Sequence, residues 1–102
     1  MSIIISSNYK KHYKTYIDFV DHYWINYFKK KKISFYSMPN ISNYKVSFTK
    51  KKIRLIILPG GNDLFSKDKM SKIRLKVEFN LIRYGIKKNI PILGICRGMQ
   101  VI

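Results

Sequence analysis

The stretch Ile90-Pro91-Ile92-Leu93-Gly94-Ile95-Cys96-Arg97-Gly98-Met99-Gln100 decides how the rest of the chain is read. An apolar run of strand character, 90 to 95, ends in a Gly-x-Cys-x-Gly turn and passes into residues that read as the start of a helix. That spacing is the nucleophile elbow, in which a sharp strand-to-helix turn holds one reactive side chain in a strained backbone conformation. Glycines two before and two after relieve the crowding that such a turn creates. The side chain then projects from the carboxyl edge of a sheet, where open α/β sheets place their ligands. A cysteine at a helix N-terminus is favoured as the thiolate by unpaired amides and the helix dipole, and Arg97 next door adds positive charge. Cys96 is therefore the candidate nucleophile. The competing reading of a lone cysteine in an apolar strand is a buried structural thiol; the glycine pair and the preceding strand favour the elbow.

Working outward, residues 53 to 58 read Ile-Arg-Leu-Ile-Ile-Leu, the strongest strand signal in the chain, ended abruptly by Pro59-Gly60-Gly61-Asn62-Asp63. Residues 71 to 87 read as a helix between these two strands. Its apolar residues form two stripes, Ile73, Val77, Leu81 and Tyr84 on one side and Leu75, Phe79, Ile82 and Ile86 on the other, so it calls for cover on both faces. Ile3, Ile4 and Ile5 suit a short buried strand. Residues 15 to 30 place Ile17, Val20, Trp24, Tyr27 and Phe28 at helical steps and close on Lys29 to Lys32. Residues 33 to 38 read as a further strand stopped by Pro39-Asn40, and 41 to 52 as irregular. Strands alternating with helical stretches predict βαβ units, a parallel sheet covered by helices. Only six residues follow Cys96, half of a mean helix, so the expectation is one domain, 1 to 102, cut short after the elbow.

Composition bounds the rest. The 102 residues carry 21 Lys and Arg against 5 Asp and Glu, a formal net charge of +16, with 46% hydrophobic and 15% aromatic residues. That is too much apolar side chain for a disordered polycation. The chain has 17 Lys, 17 Ile, 7 Asn, 8 Tyr and 6 Phe and no Ala, residues with AT-rich codons, so genome composition accounts for much of the charge. The lysines at 29 to 32 and 50 to 52, interleaved with aromatics, leave open a domain that binds nucleic acid or an anionic surface. No recognised nucleic-acid module accompanies them, and the expectation is no specific nucleic acid. A single cysteine excludes an intramolecular disulfide and fits a cytoplasmic location. No signal-peptide core, membrane span, metal-ligand spacing or Walker-type phosphate loop is present in the sequence.

An acyl-transfer cysteine needs amides aimed at the tetrahedral oxyanion. The amide of Arg97 is one candidate, and the Gly60-Gly61 turn, where missing side chains let the backbone approach a carbonyl, supplies another; taken alone, Gly60-Gly61 reads better as a plain tight turn.

Together these residues resemble the class I glutamine amidotransferase superfamily, and within it the gamma-glutamyl-gamma-aminobutyrate hydrolase-like branch. Residues 90 to 100 are similar to that branch almost residue for residue. Leu58-Pro59-Gly60-Gly61-Asn62-Asp63 looks like its oxyanion loop, and Arg74 with Glu78 resembles the Arg and Glu of its preceding helix. Asp21, Trp24 and Ser37-Met38-Pro39-Asn40 are similar to its opening segment, while Leu75 stands where an Asp usually follows the Arg. The resemblance implies an α/β flavodoxin-like, doubly wound parallel sheet and cysteine-dependent hydrolysis of gamma-glutamyl amide bonds without cofactor. Cys96 would be the nucleophile, Gly60, Gly61 and Arg97 the oxyanion positions, and Gln100 a contact to the gamma-glutamyl group. Its substrate would be a small gamma-glutamyl amide or glutamine, with ammonia passed to a synthetase partner as the variant outcome. The family's catalytic His and Glu lie downstream of the elbow, and His12 and His22 read as surface or helix-packing residues, so the 102 residues alone are expected to be inactive. Two other expectations stand beside this one: a non-catalytic elbow-cysteine protein of the same superfold, and self-association through uncovered apolar surface.

Overall fold

Residues 2–42, 52–61 and 68–102 are described by the computed structural model, with the side chain of Gln100 outside that description. The isoleucine run lies in β1 (Ser2–Ser6), every residue of which is buried. Continuous burial of this kind is what a central strand of a parallel sheet requires, because helices cover both of its faces. A short hairpin, β2 (Asn8–His12) and β3 (Thr15–Phe19), follows, then α1 (His22–Lys30) and β4 (Ser34–Met38). The remaining elements are β5 (Ile53–Leu58), α2 (Lys69–Lys88), β6 (Ile92–Gly94) and α3 (Arg97–Val101).

The main sheet has the order β4-β1-β5-β6, and all three pairings are parallel. Counting its strands along the chain, the order is 2-1-3-4, the opening of the flavodoxin-like arrangement, with the switch point between β1 and β5. Right-handed crossovers running in opposite directions from that point place α1 and α2 on opposite faces. Ile3, Ile5 and Ile57 accordingly pack with Phe28 of α1, whereas Ile4, Ile56 and Leu58 pack with Val77 and Leu81 of α2. Burying an isoleucine in this way is worth about 2 kcal/mol, so β1 and β5 carry much of the fold's stability.

The expected helix over 15 to 30 is corrected to 22–30. Thr15–Phe19 instead pairs antiparallel with Asn8–His12, with His12 opposite Thr15 across the turn residues Tyr13 and Lys14. Tyr13 takes φ 56°, the positive φ that a two-residue hairpin turn requires. Ile17 thus belongs to the hairpin. The helical register begins at Asp21, whose carboxylate accepts the Tyr23 amide at 2.8 Å as an N-cap. Helix α2 is capped in the same manner by Asp68, which accepts from Met70 N at 3.2 Å, and ends on Asn89 in the left-handed region at φ 57°. The described residues cover its two predicted stripes unequally: Val77 and Leu81 are buried, whereas in the other stripe Ile82 packs against the same core and Phe79 and Ile86 are exposed.

The hairpin is tied to the sheet by polar contacts. Asp18 of β3 accepts from Asn40 N at 2.9 Å and Asn40 Nδ2 at 3.0 Å, and Asn40 Nδ2 also donates to the Ser7 carbonyl. Tyr9 of β2 is buried and donates its hydroxyl to Asp68 at 3.3 Å. Of the segment expected to be irregular, residues 43–51 lie outside the described residues, as do Asn62 and Asp63. No described helix is long and apolar enough to cross a membrane.

Candidate active site

The carboxyl ends of β5 and β6 lie side by side, with Leu58 opposite Gly94, and each strand runs straight into a glycine-containing turn. After β6 the chain turns at Cys96, which adopts φ 52° and ψ −111° immediately before α3. A non-glycine residue held there stores about 1–3 kcal/mol of backbone strain. The two flanking glycines are fixed by space. A Cβ on Gly94 would lie 2.7 Å from the carbonyl carbon of Gly98, and one on Gly98 would lie 2.6 Å from the carbonyl carbon of Leu58. Both distances are too short for real side chains, so the Gly-x-Cys-x-Gly spacing is what lets this turn close against β5. Cys96 is exposed.

The turn after β5 faces the cysteine. A Cβ on Gly60 would stand 3.3 Å from Cys96 Cβ and 3.8 Å from its Sγ. Gly61 takes φ 128°, a conformation L side chains rarely adopt, and the space where its Cβ would stand is filled by the Asn8 side chain. The sequence-predicted positions Gly60, Gly61, Cys96 and Arg97 therefore converge at one edge of the sheet. Gln100 is placed in α3, one turn after Cys96. The amide of Arg97, the first residue of α3, is among those left without an intrahelical partner at a helix start.

The charge of Arg97 is not directed at the thiol, contrary to the expectation that it adds positive charge there. Its side chain is buried and pairs with Glu78 of α2, a contact that turns the guanidinium into the protein. The same carboxylate oxygen faces Arg74 Nε at 3.5 Å, and its other oxygen accepts from Ser6 Oγ at 2.9 Å. Arg74 in turn donates to the Asn8 side-chain oxygen at 2.6 Å and to the Pro59 carbonyl at 3.2 Å. Burial pushes the Arg74 guanidinium down to about 10; Glu78 opposes that shift and Arg97 adds to it. The two guanidiniums share the Glu78 carboxylate, and Asp18 also acts on Arg74. Among the described residues, Arg97 Nε and Nη2 are buried without a hydrogen-bond partner. Removing one member of such a buried group costs about 3–5 kcal/mol, since the others are left uncompensated.

Arg74 and Glu78 were visible only through resemblance, and the roles of Asn8 and Ser6 were missed. The Ser-Ser-Asn run after an apolar strand was their one local signal. The chain's two histidines do not join the site: His12 ends β2 and His22 opens α1, both exposed, and neither hydrogen bonds to Cys96 among the described residues.

The "Gamma-glutamyl-CDP-amidate hydrolase" of Campylobacter jejuni subsp. jejuni serotype O:2 is 42% identical over 64 residues, covering 59% of this chain and 32% of that protein. The chain thus spans about a third of the length of this relative. No solved structure gives a significant match. The family model "Glutamine amidotransferase class-I" matches residues 13–102, from the hairpin turn to the end of α3. With the match running through sheet, glycine turn and elbow alike, this chain belongs to the class I glutamine amidotransferase family.

Proposed function

We propose that the chain is the nucleophile-bearing part of a cysteine-dependent hydrolase of gamma-glutamyl amide bonds. The observation that carries this reading is the strained, exposed Cys96 facing the Gly60 turn at the carboxyl end of a parallel sheet. In the reaction the Cys96 thiolate attacks the gamma-carbonyl carbon, forming a C–S bond while the carbonyl oxygen takes up negative charge. The amides of Arg97 and the Gly60-Gly61 turn hold that oxyanion. The C–N bond then breaks, the amine leaves with a proton, and water hydrolyses the thioester to glutamate and free thiol. Gln100 contacts the gamma-glutamyl group, and no cofactor enters.

Within the 102 residues no histidine stands at the cysteine, so there is no base here to take the thiol proton and no acid to pass it to the leaving amine. The chain alone is therefore inactive, because the base of such a group supplies several orders of magnitude of rate. An amine bearing phosphate groups suits this chain best as the leaving portion. The Campylobacter relative is named for a CDP-amidate, which is what supports this choice.

A glutamine-like chloroketone is the test. Saturable labelling at Cys96, slowed by glutamine, supports the reading. Labelling of lysines instead contradicts it, while glutamate release by the 102-residue chain above the level of Cys96→Ala contradicts only the inactivity of the chain alone.

A further inference from the structure

Two loops that come from different strands must hold one spacing at this site; the Ile95 amide donates to the Leu58 carbonyl at 3.0 Å at their base, and a buried side-chain group joins them further. The glycine turn (59–61) follows β5, and the elbow (95–98) follows β6. Both are held from below by one side chain. Glu78, fully buried on α2, pairs with Arg97 of the elbow and with Arg74, four residues before it on its own helix. Arg74 carries the connection to the turn: Nη2 donates to the Pro59 carbonyl at 3.2 Å, and Nη1 to Asn8 Oδ1 at 2.6 Å. Asn8 in turn occupies the space beside Gly61. Ser6, the last residue of β1, fixes the second carboxylate oxygen at 2.9 Å.

We infer that Glu78 is a positioning residue, which sets the distance between the Cys96 elbow and the Gly60-Gly61 turn by holding Arg97 and Arg74 on one carboxylate. It touches no reacting atom. Its carboxylate faces both buried guanidiniums, so a neutral replacement removes the attraction that offsets the repulsion between Arg74 and Arg97. The inference rests on the hydrolase reading for its chemistry, but the contacts that carry it do not.

The experiment measures Cys96 alkylation in the 102-residue chain by two reagents, a glutamine-like chloroketone and iodoacetamide, with folding followed by circular dichroism. In Glu78→Gln the maximal chloroketone rate should fall about 100-fold, the loss that a misplacement of about 1 Å produces. The half-saturating concentration and the iodoacetamide rate should change little. Glu78→Asp, which keeps the charge, should recover most of the rate. Parallel changes with both reagents, or an unchanged maximal rate in folded Glu78→Gln, overturn the inference.

Should Glu78→Gln fail to fold, Asn8→Ala decides, since it loosens the turn and leaves the ion pairs in place. A slower maximal chloroketone rate supports the inference, and an unchanged one overturns it. A parent chain alkylated at Cys96 by iodoacetamide but never saturably by chloroketone counts against the hydrolase reading alone. Amide exchange then decides the inference: in Glu78→Gln, segments 59–61 and 95–98 should lose protection together, and retained protection overturns it.

Discussion

Gly60 faces Cys96 so closely that a Cβ on the glycine would lie 3.3 Å from Cys96 Cβ. The contact couples the end of β5 to the elbow after β6, and it is short because Gly60 brings no side chain into the gap. Gly60 does not occupy the positive-φ region, unlike Gly61. A side chain there is thus accepted by the backbone and refused by the site.

Gly60→Val should therefore fold and lose chloroketone labelling at Cys96 by about 100-fold, since the branched side chain fills the approach to the thiol. Labelling kinetics alongside a thermal melt check this. An unchanged rate in a folded variant contradicts the proximity.

Gly61→Ala should act on stability instead. Its φ of 128° strains any side chain, and the added Cβ would displace Asn8 from Arg74. The expected loss is about 1–3 kcal/mol, read as a lower urea midpoint with the slope unchanged.

Legibility from sequence follows the range of the interactions. The elbow and the strand at 53 to 58 were readable because Gly94, Cys96 and Gly98 stand within five residues and the apolar run is continuous. The hairpin was not. Tyr13-Lys14 carries none of the Gly or Asn that mark two-residue turns, and all five residues of β3 are exposed, so no inward-outward alternation announces a strand. The fate of Arg97 was equally hidden, because its partner Glu78 lies 19 residues away on another element. Asn8 reaches Arg74 across 66 residues, a contact only the assembled sheet creates.

Tyr9→Phe should weaken the attachment of the hairpin by about 1 kcal/mol near neutral pH, through loss of the hydroxyl's bond to Asp68. Burial, and after it the negative charge of Asp68, raises the Tyr9 hydroxyl above its usual 10.0. A folded state that holds this proton more tightly than the unfolded chain gains stability below pH 10, and loses it as pH rises through the folded value. The difference between parent and variant should accordingly shrink in alkaline solution. Urea titrations at pH 7 and above pH 10 check this, and a gap that widens instead contradicts it.

Self-association of the 102-residue chain should appear at physiological salt. Leu93 on β6, which among the described residues is an edge strand, together with Phe79 and Ile86 on α2, presents exposed apolar surface, and such an edge invites pairing. The charge of +16 opposes contact, but a Debye length of about 8 Å at ~0.15 M salt screens most of that repulsion. Sedimentation velocity showing a stable monomer contradicts this expectation.

Acylation without turnover isolates the role of Cys96. A gamma-glutamyl p-nitrophenyl ester has a leaving group that needs no protonation, so attack by the thiolate does not depend on a base absent from these residues. Intact-mass and peptide spectrometry should find one gamma-glutamyl group on Cys96, accumulated as a thioester, released by hydroxylamine and missing from Cys96→Ala. An adduct confined to lysines, or none at all on a folded chain, would contradict the assignment of Cys96 as the nucleophile.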